Sequence, residues 1–92
     1  MNDYKALRIF LLAAEKRNFA QVARELNMAP AAITRTIAAL EEELGLQLFV
    51  RTTRQVSLTT DGAIFAAQIQ PAFQALETAR KDIMDAHKTD QG

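Results

Sequence analysis

The 92 residues suffice for one domain with a modest core and not for two. A hydrophobic fraction of 49% and a mean hydropathy of −0.09 exclude an intrinsically disordered chain. Eleven basic and eleven acidic side chains cancel, so no global field draws the chain toward polyanions, and the absence of cysteine excludes a disulfide framework or thiolate site. The N-terminus lacks the charged, apolar and small-residue order of a signal peptide. The longest uncharged run, Gly62 to Leu76, is interrupted by Gln68, Gln70, Pro71 and Gln74. No membrane association is expected, and the cytoplasm is the expected compartment.

In chain order, Asp3 is a plausible N-cap for a first helix ending near Asn18. Tyr4, Leu7, Phe10, Leu11 and Ala14 share one face of it, with Ile9 and Leu12 on the other. A helix apolar on both sides is usually buried on both, which predicts a position between two other elements. Asn18 and Gln21 have capping-box spacing for a short second helix, Phe19 to Leu26, that turns Val22, Ala23 and Leu26 inward. Asn27-Met28-Ala29 makes a turn, with Met28 tucked into the core. Pro30 then suits a first helical position, where its missing N–H costs nothing.

The third helix is predicted over Pro30 to Leu44, stopped by Gly45 as a left-handed cap. Ile33, Ile37, Leu40 and Leu44 form its buried stripe. The opposite face is centred on Ala31, Arg35, Ala38 and Glu42, with Thr34 at its flank. Its first half is small side chains around one Arg, which lets the backbone approach a surface closely. Its end carries Glu41, Glu42 and Glu43, read as a solvated face or as partners for wing arginines. Leu48-Phe49-Val50 and Val56-Ser57-Leu58 read as two short strands flanking the tip Arg51-Thr52-Thr53-Arg54-Gln55.

From Thr59 or Thr60 a long helix should continue to about Lys88, followed by an unstructured tail over 89–92. Phe65, Ile69, Ala72, Leu76, Ala79, Ile83 and Ala86 alternate four and three apart, a heptad seam that asks for a partner helix. Pro71 within it predicts a kink near Ala67 to Pro71. The fold class is therefore mostly α with a small β-hairpin wing: a winged helix-turn-helix over 1–58, a linker or dimerisation helix over 59–88, and a flexible tail.

Helix, tight turn, helix with an outward Arg and then an Arg/Thr hairpin is the order in which a winged helix-turn-helix presents one helix to the DNA major groove. Charge supports this only weakly. Residues 1–60 hold eight basic and six acidic groups, against three and five in 61–92. Between Lys16 and Thr36 lie Lys16, Arg17, Arg24 and Arg35 against Glu25 alone. Arg35 is the sharpest contact candidate, since Arg to guanine is the commonest specific pairing.

The chain resembles the N-terminal DNA-binding domain of LysR-type transcriptional regulators over essentially its whole length. The matching stretches are the Phe10-centred first helix, Phe19-Ala20-Gln21-Val22-Ala23-Arg24-Glu25-Leu26, and Pro30-Ala31-Ala32-Ile33-Thr34-Arg35. They continue through Ile37-Ala38-Ala39-Leu40-Glu41-Glu42-Glu43-Leu44-Gly45, Leu48-Phe49-Val50-Arg51-Thr52-Thr53-Arg54 and Leu58-Thr59-Thr60-Asp61-Gly62. Any one of these is a weak pattern; all of them in order are a strong one. The resemblance implies DNA contacts from Pro30, Ala31, Ala32, Thr34 and Arg35 on the recognition helix. It implies wing contacts from Arg51, Thr52 and Arg54, with Arg54 the better minor-groove candidate. It further implies a homodimer, able to form a tetramer in the full-length protein, paired through Phe65, Ile69, Ala72, Leu76, Ala79 and Ile83 in an antiparallel coiled coil. A small-molecule effector would bind only a C-terminal domain beyond these 92 residues, so the chain reads as a truncated form. No cofactor is expected within it. The family usually places Ser or Thr where this chain has Ala20 and Ala29; each loss removes a cap worth roughly 1 kcal/mol, though Asn18 is placed to replace the first.

Two other readings are weighed. A winged helix that binds protein, with the heptad helix as its assembly device, is favoured by zero net charge and opposed by Arg35 and the Arg51/Arg54 tip. A winged-helix regulator of the molybdate-responsive type would look similar over this region. Enzymatic chemistry has no support: His87, the only histidine, has no second ligand or nucleophile beside it, and Gly45 and Gly62 are isolated.

Overall fold

A computed structural model describes residues 3–52 and 55–91, with Asp3 and residues 89–91 described in backbone only. Four helices and a hairpin follow one another: α1 (Asp3–Lys16), α2 (Phe19–Leu26), α3 (Pro30–Leu44), β1 (Phe49–Arg51), β2 (Val56–Leu58) and α4 (Thr60–Gln91). The two strands pair antiparallel, with Phe49 opposite Leu58, Val50 opposite Ser57 and Arg51 opposite Val56. The first strand thus begins one residue later than its apolar run suggests. Leu48 is excluded from the ladder because its N–H and C=O are bonded elsewhere, to Glu41 and Thr59.

The helix ends follow local chemistry. Arg17 stands at φ 54° and closes α1, its N–H donating to the Ala13 carbonyl at 2.9 Å. α1 therefore ends at Lys16, two residues short of Asn18, because Asn18 is extended and caps α2: its Oδ1 accepts from the Gln21 N–H at 3.0 Å. Asn27, left-handed at φ 56°, ends α2, and the Met28 N–H returns to the Ala23 carbonyl at 2.8 Å. Gly45 does the same for α3 at φ 73°, its N–H bonding the Glu41 and Glu42 carbonyls.

The core collects Ile9, Phe10, Ala13, Val22, Ala23, Ile33, Ile37, Leu40, Leu48 and Phe49. α1 touches α2, α3 and α4, the two-sided burial that its sequence predicts. Phe10 stands at the centre, edge-on to Phe49 at 5.7 Å and tilted against Phe65 of α4 at 5.2 Å. Leu44, placed in the buried stripe by its spacing, is instead 40% exposed. The last turn of α3 carries it past the core, to the rim of an open surface cleft that it lines with Asp61, Ile64, Phe65 and Gln68 of α4.

α4 is fastened at its root. The Thr59 hydroxyl donates to the Gln47 carbonyl at 2.7 Å and accepts from the Gly62 N–H at 2.9 Å, while the Thr59 N–H donates to the Leu48 carbonyl at 2.9 Å. Gly62 is buried against that same carbonyl, and a Cβ there would collide with it. Phe65 and Ala66 then join the core, and Phe73 stacks on Tyr4 at 5.1 Å. The Tyr4 hydroxyl oxygen is buried with no hydrogen-bond partner among the described residues. The helix passes through Pro71 without a break and continues to Gln91, so residues 89–91 extend it where a tail was expected. Between Pro71 and Gly92 there is no Gly or Pro to stop it.

Candidate nucleic-acid interface

α2, the Asn27 turn and α3 are the two helices and connector of a helix-turn-helix, with the hairpin as wing. α3 is oriented by its buried side: Ile33, Ile37 and Leu40 sink into the core, so Pro30, Ala31, Arg35, Ala38 and Glu42 are exposed and Ala32 and Thr34 half-buried. Arg35 is the only charged side chain from Pro30 to Leu40. Ala29 is extended and supplies no side-chain hydrogen bond to the start of α3, while Pro30 occupies the first turn. The positive end of the helix dipole is thus left beside an open, small-residue surface. Lys16 approaches Glu25 at 4.0 Å, which removes it from the local basic excess and leaves Arg35 more prominent.

The wing is tied to the recognition helix by an interaction that the sequence does not advertise. Glu41 Oε2 accepts hydrogen bonds from the Leu48 N–H at 2.8 Å and the Phe49 N–H at 3.2 Å. Glu41 is not simply a solvated acid, and among the described residues it pairs with no wing Arg; it caps the start of β1 from the side of α3. Two neutral donors on one carboxylate are charge-assisted bonds, stronger than ordinary amide pairs. They fix the angle between helix and hairpin. The signal available in the sequence was only a triplet of Glu, in which Glu41 is indistinguishable from Glu42 and Glu43.

Arg51 ends β1 exposed, its Cζ lying 5.2 Å from the centroid of the Phe19 ring rather than beside a carboxylate. The Thr52 hydroxyl closes the hairpin: it donates to the Gln55 carbonyl at 3.3 Å and accepts from the Gln55 N–H at 3.0 Å. Arg54, the favoured minor-groove candidate, lies outside the described residues together with Thr53.

The structure divides the expected dimer seam in two. Phe65 and Ile69 are half-buried, Phe65 against Phe10, whereas Ala72, Leu76, Ala79 and Ile83 are exposed. Leu76 is 57%, Ile83 60% and Met84 52% exposed. The inward face of α4 runs through Gly62, Phe65, Ala66, Ile69, Phe73 and Glu77, slightly rotated from the heptad stripe, because α1 is its first partner. No group of three or more His, Cys, Asp or Glu side chains fit to hold a metal ion occurs among the described residues. None of their helices is long and apolar enough to cross a membrane.

Residues 4–63 match the family described as bacterial regulatory helix-turn-helix protein, lysR family. The transcriptional regulator CrgA of Neisseria meningitidis is 37% identical over 86 residues, which cover 94% of this chain and 29% of CrgA. Among solved structures, the complex of the BenM DNA-binding domain with its catB site 1 DNA superposes with a TM-score of 0.75 at 31% identity, covering 97% of this chain and 96% of that one. Vibrio fischeri DarR, solved with DNA, gives a TM-score of 0.79 at 30% identity over 89% of this chain and 28% of DarR. The fold and site define a winged helix-turn-helix domain of the kind that transcriptional regulators use. The chain belongs to the LysR family and is a LysR-type helix-turn-helix DNA-binding domain. It spans less than a third of the length of curated relatives such as CrgA.

Proposed function

We propose that this domain binds an imperfect inverted repeat in double-stranded DNA as a homodimer, from the cytoplasm, as part of a transcriptional regulator. The observation that carries this reading is the exposed N-terminal half of α3, small side chains around a single Arg35. Small residues let the helix backbone approach the floor of the major groove, and a lone guanidinium there reads guanine through its O6 and N7. Thr34, Pro30, Ala31 and Ala32 contribute contact surface and backbone approach, and the wing engages the flanking backbone. The related domains solved on DNA support the mode of docking.

The exposed apolar residues of the outer α4 supply the dimer surface. Ala72, Leu76, Ala79 and Ile83 repeat at coiled-coil spacing, with no covering element in one chain. Pairing two chains places two recognition helices in successive major grooves of a duplex, one helical turn or more apart. Residues 1–58, completed by the root of α4 packed on them, act as the reading unit, and the outer part of 59–88 as the joining unit. In the longer protein, any small-molecule effector acts through a further domain.

The test is selection from a random duplex pool at near-physiological salt. Enrichment of an inverted repeat is the expected result; retention that vanishes with rising salt and enriches nothing would leave only counterion-driven attraction and would overturn the reading. On the selected site, Arg35→Ala should cost about 1–3 kcal/mol and flatten the base preference at one position of each half-site. Equal losses on selected and random duplexes would reduce Arg35 to a phosphate contact.

A further inference from the structure

Phe19 reads in the sequence as an apolar anchor for the start of α2. The structure gives its ring a second neighbour, the guanidinium of Arg51, with Cζ 5.2 Å from the ring centroid. That separation is within the range of a cation–π contact. We propose that Phe19 is a positioning residue for DNA-backbone binding: its ring holds the Arg51 guanidinium by the face and leaves the edge free for a phosphate. This inference rests on the reading that the wing meets DNA.

The ring is itself immobilised. Phe19 packs edge-on against Phe49 at 5.5 Å and 89°, Phe49 against Phe10, and Phe10 against Phe65. Its backbone is fixed by Asn18, the capping residue just before it. A continuous run of four rings therefore leads from the root of α4 through α1 and β1 to the platform under Arg51.

The chemistry of the guanidinium makes this contact compatible with DNA. Stacking uses the π face of the planar group, whereas its five N–H donors point outward in its plane. No carboxylate of a described residue pairs with Arg51, so its charge is held without being neutralised. An unheld Arg must freeze several rotatable bonds when it meets a phosphate, a cost subtracted from affinity. An Arg already laid on a fixed ring has met part of that cost in the free protein.

A double-mutant cycle on the 92-residue chain tests this. Binding of the selected duplex is measured against salt for the parent, Phe19→Leu, Arg51→Ala and the pair, with the melting temperature of each free protein recorded. Arg51→Ala is expected to lower the slope of log affinity on log salt by about 0.9, the signature of one lost phosphate contact. Phe19→Leu should weaken binding roughly fivefold in the parent and less than twofold in the Arg51→Ala background, as expected for coupled residues. Phe19→Tyr, which keeps the ring, should restore parental affinity. Equal losses from Phe19→Leu in both backgrounds would make Phe19 merely structural and overturn the proposal. If Phe19→Leu does not fold, the Arg51 Hδ protons in the parent carry the test: an upfield ring-current shift that persists in Phe19→Tyr is expected, and shifts matching an unstacked Arg would overturn it. An unchanged salt slope in Arg51→Ala, with Arg35→Ala still impaired, would remove the wing contact but spare the recognition-helix reading. Failure of both would remove the DNA-binding reading itself.

Discussion

The root of α4 and its outer half both carry large apolar residues, in different surroundings. Phe65 and Ala66 pack on the core, and Phe73 lies flat on Tyr4. Leu76, Ile83 and Met84 are as apolar, yet each is more than half exposed. The outer half also carries most of the helix's charge, including Glu77, Arg80, Lys81, Asp82, Asp85 and Lys88 against Asp61 alone in the root; what separates the apolar residues is whether α1 runs alongside. The same helix thus completes one domain and offers a surface to another chain, and single substitutions should act on one role and not the other.

The largest effect is expected at Gly62, where even a methyl meets the Leu48 carbonyl, a backbone atom that cannot swing aside. Gly62→Ala should cost roughly 3 kcal/mol of domain stability in denaturant titration; a change under about 0.5 kcal/mol, ordinary for a surface site, would show that the root has slack. Phe65→Ala should come next, at about 2 kcal/mol for a half-buried aromatic. Its counterpart Leu76→Glu should shift the unfolding midpoint of the dissociated chain by less than about 0.5 kcal/mol, while sedimentation shows the concentration-dependent dimer gone. Similar unfolding penalties for the two, or a dimer surviving Leu76→Glu, would erase the distinction.

Glu41→Ala strips the acceptor from two backbone N–H groups at the base of the wing and should cost about 1–2 kcal/mol, with amide exchange accelerated at Leu48 and Phe49 before the rest of the core. Protection unchanged at those two amides would mean the hairpin is held by its strand ladder alone. The smallest effect, and a gain, belongs to Ala29→Ser. Restoring a hydroxyl at the uncapped start of α3 should add about 1 kcal/mol, measured as a higher melting temperature with assembly untouched.

Much of this architecture was legible because its signals are local. Asn18 before Phe19, Pro30 at the start of α3 and Gly45 at its end each state a backbone requirement within three or four residues, and the structure meets all three. The double-sided apolar character of α1 likewise announced neighbours on two sides. Features set by distant pairs were hidden. Glu41 bonds amides seven and eight residues on, across a change from helix to strand, and no periodicity reports such a contact. Leu44 continues a helical stripe beyond the point where the core ends. Phe73 fell outside the heptad because that pattern assumes one partner for α4, whereas α1 claims a rotated face. In the candidate interface, Arg35 is readable as a lone charge among small residues, while the cation–π contact of Arg51 with Phe19 joins residues 32 positions apart and leaves no trace in local spacing.

The fastening of α4 at Thr59 and Gly62 also has a mechanical side. An unbroken helix of 32 residues measures about 48 Å at 1.5 Å per residue, nearly the 52 Å length of the whole molecule. Held at its root and braced along α1 as far as Phe73 and Glu77, it is a lever arm whose free part begins beyond that brace. The residues after Glu77, 78–91, make an arm of about 21 Å at a 1.5 Å rise, so a tilt of 5° sweeps the tip through about 2 Å. A load at the tip is taken first where Phe73 stacks on Tyr4, and only what passes that contact reaches the Leu48 carbonyl and the joint between the hairpin and α3.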